Sequence, residues 1–335
     1  MARYDFASDN VAPAMPEVME ALTMFNVGAA AGYGGDEVSS RAGDLIRALL
    51  DADAEVRFAA SGTAANALTL AALAAPHEAI LAHEHSHVAT DETGAPGFFG
   101  AGVGIIALAG ASGRIESARL AKALEQPDEP HWQSPAALTL TNATEFGAVY
   151  GEADFAALCG QAKGAGLKVH VDGARFANAV AAGFDPKSLA RMGVDILVLG
   201  GTKAGSTPTE AIVLFDKGVR RRFGARLKHG GQFVSKARFL AAPWIGMLET
   251  GAWAERARHA NAMAGRLAAL MPFPVTHPVE ANAVFIDMDE PTRARLQAAG
   301  WFVYRFIDGT VRFMCSWATT PEDVDQLGAV LKALR

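Results

Sequence analysis

The pattern that most constrains the fold is a repeated alternation of short apolar runs, glycine-marked turns and alanine-rich stretches. The apolar runs occupy residues 55–60, 79–82, 103–108, 136–141, 168–172, 195–200 and 211–215. Helical stretches at 64–75 and 152–164 lie between them. Nearly continuous apolar runs are typical of strands buried on both faces, and strands that alternate with helices usually pair in parallel. We therefore predict an α/β fold with a mostly parallel sheet covered by helices.

The character of the sequence changes after Trp244. A long helix rich in alanine and arginine is predicted over residues 251–270, and residues 282–317 indicate a second, smaller α/β layer. The start of the last helix is clearly marked in the sequence. Thr320 is a suitable N-cap, and Pro321 is favoured at the first helical position. The two acidic residues that follow would interact favourably with the positive end of the helix dipole. We predict a large domain over residues 1–248 and a small C-terminal domain over 249–335.

Composition excludes several classes of protein. Half of the 335 residues are hydrophobic, which supports a large core rather than disorder. The net charge of −6 and the absence of a basic stripe argue against nucleic-acid binding. No apolar run approaches the roughly 18 residues of a membrane span, and the charged N-terminus does not resemble a secretory signal. We expect a cytosolic protein in which Cys159 and Cys315 are small core residues.

Three motifs follow predicted strands, and each has a structural alternative. Residues 61–66 (SGTAAN) precede a helix, whose N-terminus suits a phosphate, although an ordinary N-cap would use the same residues. Asp172 ends a strand at the edge where α/β sheets bind ligands, or else it caps a helix or pairs with Arg175. Lys203 lies between glycines after another strand, where a lysine can bond to a carbonyl compound, whereas most lysines are simply solvated.

Together these motifs match the three fixed groups of pyridoxal 5′-phosphate, namely its phosphate, its aldehyde carbon and its pyridine nitrogen. The segment HEHSH (83–87) adds three alternate histidines. On a strand they would share one face and could bind zinc, with Asp91 and Glu92 as oxygen ligands. The interpretation that we favour is a single imidazole stacked on the face of the cofactor ring.

An ordered set of motifs extends along nearly the whole chain. They are FASDN (6–10), GYGGDEVSSR (32–41), SGTAAN (61–66), HEHSHVATDETGA (83–95), LTLTNATEFG (138–147), HVDGARFANA (170–179), GGTKAG (200–205), GQFVSKARFLAAPW (231–244) and TVRFM (310–314). This set resembles the low-specificity L-threonine aldolases and the related phenylserine and allo-threonine aldolases. The resemblance implies a pyridoxal-phosphate enzyme of fold type I, the aspartate-aminotransferase-like fold.

The resemblance also implies a role for each matching residue. Lys203 would anchor the cofactor, His85 would stack on its ring, and His131 would remove the proton of the substrate hydroxyl group. The residues expected to hold the cofactor are Ser61, Gly62, Thr63, His85, Asp172, Arg175 and Lys203. Those expected to contact the substrate are Ser8, Tyr33, His131, Arg175 and Arg312. No metal ligand is expected.

The implied reaction is retro-aldol cleavage of threonine, allo-threonine or phenylserine to glycine and an aldehyde. A β-eliminating lyase or an aminotransferase would use the same cofactor site, whereas a Rossmann-type nucleotide-binding protein would need the G-x-G-x-x-G that is missing after the first strand. The chain departs from the family pattern at residues 141–144, which are TNAT where many aldolases have ENTH, and at 229–233. The family further implies a homo-oligomer, either a dimer or a tetramer built as a dimer of dimers.

Overall fold

The computed structural model describes residues 3–125 and 129–335. The strands are β1 (Glu55–Ala59), β2 (Glu78–His83), β3 (Gly104–Leu108), β4 (Ser134–Thr141), β5 (Lys168–Gly173), β6 (Ile196–Gly200), β7 (Glu210–Leu214), β8 (Ala283–Ile286), β9 (Tyr304–Arg305) and β10 (Val311–Met314). The helices are α1 (Pro16–Met24), α2 (Glu37–Leu50), α3 (Gly62–Leu73), α4 (His87–Thr90), α5 (Ala95–Phe99), α6 (Ser117–Leu124), α7 (Glu152–Gly164), α8 (Phe176–Ala181), α9 (Lys217–Arg220), α10 (Phe223–His229), α11 (Arg238–Glu249), α12 (Ala252–Leu270), α13 (Glu290–Ala298) and α14 (Pro321–Leu334).

Seven strands form one sheet in the order β1-β7-β6-β5-β4-β2-β3. Strands β3, β2, β4, β5 and β6 pair in parallel. Strand β7 is antiparallel to both of its neighbours, so β1 runs in the same direction as β6. The predicted α/β fold with a mostly parallel sheet is confirmed, and the carboxyl ends of β1, β2, β4, β5 and β6 meet at one edge.

Two apolar cores cover the two faces of this sheet. Along β6, Leu197 and Leu199 contact one core while Ile196 and Val198 contact the other, as the two-residue period of a strand requires. Helix α3 packs in the second core, and α2, α7, α8 and α11 pack in the first. All four of these β6 side chains are buried. Burial on both faces explains why the sequence of this strand is continuously apolar.

The second sheet has the order β8-β10-β9 and is antiparallel. Its core includes residues from α12, α13 and α14. The N-terminal segment also packs here, since Phe6 is buried in this core and its carbonyl accepts a hydrogen bond from the Met314 N–H. The second sheet therefore lies within the predicted C-terminal unit, while the boundary at residues 248–249 stays a prediction. Among the described helices, none is both long enough and apolar enough to span a bilayer.

Two glycines let the turn after β6 approach its neighbours closely. A Cβ atom on Gly200 would lie 2.3 Å from the carbonyl oxygen of Ala174, and one on Gly201 would lie 2.5 Å from that of Thr209. Larger residues at these positions would push the turn away from β5 and β7. The glycines thus hold Lys203, two residues later, at the carboxyl edge of the sheet.

The first residues of α14 form a capping box, which confirms the predicted helix start. The Thr320 hydroxyl accepts from the Asp323 N–H at 3.1 Å, and the Asp323 carboxylate accepts from the Thr320 N–H at 3.2 Å. We expect Thr320→Ala to lower the free energy of unfolding by about 1 kcal/mol, measured by urea denaturation. The control Thr276→Ala, in an exposed loop, should change it by less than about 0.5 kcal/mol. Equal losses in both variants would contradict a capping role.

Candidate active site

Side chains at the carboxyl edge of the seven-stranded sheet line two adjoining cavities. The inner cavity has a volume of about 350 Å³, and the outer cavity one of about 560 Å³. Asn10, His87 and Lys203 line both, so the two spaces meet at the lysine. The predicted site residues of the inner cavity are Ser61, Gly62, Thr63, Asp172 and Lys203. Those of the outer cavity are Ser8, His85, Arg175, Lys203 and Arg312.

The inner cavity contains the N-terminus of α3. Ser61 is the N-cap, and its hydroxyl accepts from the Ala64 N–H at 3.2 Å. A Cβ atom on Gly62 would meet nothing within 4 Å, so the first turn of the helix faces open space. The first N–H groups of a helix have no acceptor within the helix and carry the positive end of its dipole. This end of the cavity therefore suits a phosphate group, and the N-cap interpretation holds at the same time.

Asp172 is a buried carboxylate at the carboxyl end of β5. It is 2% exposed and accepts hydrogen bonds from Asn66 Nδ2 and from the Ala174 N–H, both at 3.0 Å. No described cation forms an ion pair with it, because Arg175 pairs with Asp9 instead. A buried carboxylate without a counter-ion is costly. Its environment would be completed by a cation in the inner cavity, such as a protonated pyridine nitrogen.

Lys203 is half-buried in the turn after β6. Within residues 3–125 and 129–335, no carboxylate lies close enough to form an ion pair with its ammonium group. Glu210 lies nearby in the inner cavity, where it accepts from the Gly201 N–H at 2.8 Å, and burial raises the pKa of Glu210 to about 7. The lysine is therefore open to both cavities, in the position that a covalent bond to a carbonyl compound requires.

His87 faces both cavities, whereas the predicted ring-stacking residue, His85, lines the outer cavity alone. The reason is that β2 ends at His83, His85 lies in a turn, and His87 begins α4. The three histidines therefore do not share a strand face, as the zinc interpretation required. The Nδ1 atom of His83 accepts from the His85 N–H and its Nε2 atom lies 2.9 Å from the carbonyl of Gly110. A metal bound to His83 would have to break one of these hydrogen bonds.

Glu92 connects His87 to Asp172. Its Oε1 atom lies 2.9 Å from both His87 Nδ1 and Asn66 Nδ2, and Asn66 Nδ2 in turn contacts Asp172. The side chain of Glu92 is fully buried, and burial raises its pKa. The hydrogen bond to Glu92 raises the pKa of His87. Glu92, an oxygen ligand in the zinc alternative, is instead the hydrogen-bond partner of His87.

The two arginines of the outer cavity differ in their partners. Arg175 donates from Nε and Nη2 to both oxygens of Asp9, at 2.7 and 3.0 Å. Arg312 has one hydrogen bond, from Nη2 to the carbonyl of Ala7 at 3.5 Å, and its buried Nε atom has no partner in the described part of the chain. Burial lowers the pKa of Arg312, and the positive charge of Arg175 lowers it further. A carboxylate in the outer cavity would satisfy the open donors of Arg312.

Two predicted residues do not reach these cavities. His131 is exposed in the turn before β4, whose first residue pairs with Glu78 while its last pairs with Asp172. The strand, roughly 25 Å long, therefore separates His131 from the site of its own chain, so within one chain it does not reach the position from which it would remove the hydroxyl proton. Tyr33 is 46% exposed and stacks on Phe233, with 5.2 Å between ring centroids, beside a separate cavity at β1. Its predicted contact with substrate is not made within this chain.

Comparison with known proteins gives a consistent family. The model of the family described as beta-eliminating lyase matches residues 5–291. The low-specificity L-threonine aldolase of Pseudomonas aeruginosa is 43% identical over 96% of this chain and 95% of its own length. The low-specificity L-threonine aldolase of another Pseudomonas strain is 41% identical over 98% of this chain and 97% of its own length. The solved structure of Leishmania major threonine aldolase is 27% identical, covers 99% of both chains and superimposes with a TM-score of 0.93.

The Asp9–Arg175 pair should contribute to stability in a pH-dependent manner. Burial alone would raise the pKa of Asp9, but the adjacent Arg175 lowers it to about 2. Because this pKa is below the value of about 3.9 in an unfolded chain, the contribution is complete above that value and is lost as the pH falls towards 2. We expect Asp9→Asn to lower the free energy of unfolding at pH 7 by about 3–5 kcal/mol, since it removes the hydrogen-bonded counter-ion of the buried Arg175.

The measurement is urea denaturation of both proteins at pH 7, 5 and 3. The difference in the free energy of unfolding between wild type and Asp9→Asn should become smaller as the pH falls from 5 to 3. The control Asp5→Asn removes an exposed partner of Arg3 and should lower the free energy of unfolding by less than about 1 kcal/mol. A difference that is the same at every pH would refute the pairing.

Proposed function

Because the chain belongs to the beta-eliminating lyase family and within it to the low-specificity L-threonine aldolases, we propose that it cleaves β-hydroxy-α-amino acids to glycine and an aldehyde. The substrates would be L-threonine, L-allo-threonine or a related compound such as phenylserine. The enzyme is a carbon–carbon lyase, and its cofactor is pyridoxal 5′-phosphate. One observation carries the proposal, namely the position of Lys203 where the two cavities meet. The inner cavity contains the carboxylate of Asp172, which has no counter-ion among the described residues. The outer cavity contains Arg312, whose Nε atom has no partner among them.

The residues of the inner cavity fit the cofactor. Ser61, Gly62 and Thr63 would bind its phosphate at the N-terminus of α3, and Lys203 would bond covalently to its aldehyde carbon. Asp172 would hold its pyridine nitrogen in the protonated form. When bound, pyridoxal 5′-phosphate supplies an electron acceptor conjugated to the substrate Cα atom. We propose His87, rather than His85, as the imidazole against the ring, because His87 is the histidine that lines the inner cavity.

The residues of the outer cavity fit an amino-acid substrate. Arg312 would bind the carboxylate through its two-pronged guanidinium group, and Ser8 would add a hydroxyl contact. Holding the carboxylate fixes which bond of the Cα atom faces the electron acceptor, and that bond is the one that breaks. Arg175 is kept rigid by Asp9 and would contact the phenolic oxygen of the cofactor at the boundary between the cavities.

We further propose a homo-oligomer, either a dimer or a tetramer, located in the cytoplasm. The exposed Tyr33 ring, which stacks on the half-buried Phe233 and lies 5.1 Å from Lys228 Nζ, supports a subunit contact at this surface. The two cysteines support a reducing compartment, because both are buried, unpaired thiols. Size-exclusion chromatography with light scattering would test the oligomeric state.

The alternative reaction is β-elimination, since the matching family model carries that description. The two reactions give different products from different substrates. We expect threonine or phenylserine to give glycine and an aldehyde, detected by reduction of the aldehyde with a coupled dehydrogenase. Serine would give pyruvate and ammonia in an eliminating lyase. Formation of pyruvate without glycine would contradict the aldolase proposal.

Replacement of the anchoring lysine tests the cofactor site directly. We expect Lys203→Ala to abolish turnover and the visible absorbance of the covalently bound cofactor, because the bond cannot form. Borohydride reduction followed by peptide mapping should label wild type at Lys203 and leave the variant unlabelled. The control Lys217→Ala, 80% exposed, should behave as wild type. Labelling of another lysine in wild type would refute this assignment.

Replacement of the arginine tests how the carboxylate is bound. We expect Arg312→Lys to raise KM for threonine by about tenfold or more, because lysine retains the charge but loses the paired hydrogen bonds. Cofactor absorbance should be unchanged. Arg266→Lys, at an exposed pair with Asp325, is the control and should leave steady-state kinetics unaltered. An unchanged KM in Arg312→Lys would exclude its proposed role.

A further inference from the structure

We propose that Glu145 is the catalytic residue that removes the proton from the β-hydroxyl group of the substrate. This inference rests on the proposed aldolase function and names a group within this chain for the step predicted for His131, which lies at the opposite edge of the sheet. Glu145 follows β4 at the carboxyl edge of the sheet and lines the outer cavity together with Lys203 and Arg312. It therefore shares a cavity with both groups that would fix the substrate.

The carboxylate of Glu145 is available to a substrate. The residue is 9% exposed, and its nearest charged partner is Arg175 Nη1 at 3.8 Å, beyond hydrogen-bond distance. The described residues provide no hydrogen bond to its oxygens, and Arg175 is already neutralised by Asp9. The preceding residue is not available, since the Thr144 hydroxyl donates to the Ser112 carbonyl and accepts from the Ala148 N–H. Glu145 is thus the side chain of this turn that faces the cavity with free acceptors.

His87 is a weaker candidate for the same step. Its Nδ1 atom is bound by Glu92, and its Nε2 atom lies 3.6 Å from Asp91. The hydrogen bond to Glu92 therefore occupies Nδ1 and a carboxylate stands next to Nε2, whereas the oxygens of Glu145 accept no hydrogen bond from the described residues. His85, in the same cavity, is the remaining imidazole and is included in the test.

The step balances without any further reactant. The Glu145 carboxylate takes the hydroxyl proton, the Cβ–O bond becomes a carbonyl, and the Cα–Cβ bond breaks to release the aldehyde. The cofactor, when bound, would supply the acceptor for the electron pair of that bond. A proton added later to Cα gives glycine, so the proton lost by the hydroxyl group is matched by the one gained at carbon. Carboxylates positioned in this way commonly contribute about 10²–10⁴ in rate.

The first test compares two reactions of the holoenzyme. We expect Glu145→Gln to lower kcat for threonine cleavage at least 100-fold while KM changes less than about threefold. Exchange of the Cα proton of glycine with deuterium, followed by NMR, needs no hydroxyl base and should stay within about twofold of wild type. The control Glu255→Gln, exposed on α12, should match wild type in both reactions. Glu145→Asp, which keeps a carboxylate, should recover part of kcat.

A second test does not depend on turnover. Protein freed of cofactor is titrated with two unreactive reduced conjugates, phosphopyridoxyl-L-threonine and phosphopyridoxyl-L-2-aminobutyrate, which differ in the hydroxyl group. We expect wild type to prefer the threonine conjugate by roughly tenfold, because the hydroxyl donates to a charged acceptor. Glu145→Ala should bind both about equally. Circular dichroism and thermal unfolding confirm that each variant is folded.

Each outcome decides the proposal. A Glu145→Gln variant with wild-type kcat, or a Glu145→Ala variant that keeps the preference for the hydroxyl group, would overturn it. Parallel loss of cleavage and glycine exchange would instead assign Glu145 a structural role beside Arg175. Selective loss of cleavage in His85→Ala but not in Glu145→Gln would transfer the step to His85. Wild-type protein that binds cofactor yet cleaves no β-hydroxy-α-amino acid would overturn the aldolase function as well.

Discussion

The rest of the site depends on a carboxylate that is buried at the end of a strand without a cation beside it. Removing Asp172 from water costs several kcal/mol unless hydrogen bonds and an opposite charge compensate. Asn66 and the Ala174 N–H provide the hydrogen bonds, and Glu92 fixes the orientation of the Asn66 amide. The missing positive charge is what a pyridinium nitrogen brings. The protein therefore holds a site whose electrostatics are complete with the cofactor bound.

The parallel sheet explains why these groups meet. Strands β1, β5 and β6 end at one edge, which brings the first turn of α3, Asp172 and Lys203 to one cavity, although α3 begins more than 100 residues before Asp172 in the sequence. The second sheet contributes Arg312 from β10, and the N-terminal segment contributes Ser8 and Asp9. Asp9 binds Arg175 of the first part and Asn282 of the second. This pair of contacts joins the groups proposed to bind the substrate to those proposed to bind the cofactor.

The sequence predicted the seven strands of the first sheet, and it placed Asp172 and Lys203 at the carboxyl edge because each follows an apolar run whose direction is readable. The roles of these residues and of Arg312 stay predictions. The resemblance implied His85 as the ring-stacking residue, whereas His87 lines the inner cavity, because β2 ends at His83 and the following turn changes the side-chain direction. The role of His131 was implied by the family resemblance alone, whereas its position before the predicted strand at 136–141 already placed it at the amino edge of the sheet, as the structure shows. The position of Glu145 in the cavity depends on the path of an irregular turn, and the local sequence has no periodic pattern from which that path could be predicted.

The central claim is most directly tested by the protonation state of the pyridine nitrogen in the holoprotein. Cofactor labelled with ¹⁵N at this atom is bound to wild type and to Asp172→Asn, and the ¹⁵N chemical shift is followed by NMR between pH 6 and 9. The account predicts a protonated nitrogen throughout this range in wild type and an unprotonated one in the variant. An unprotonated nitrogen in wild type at neutral pH would contradict it.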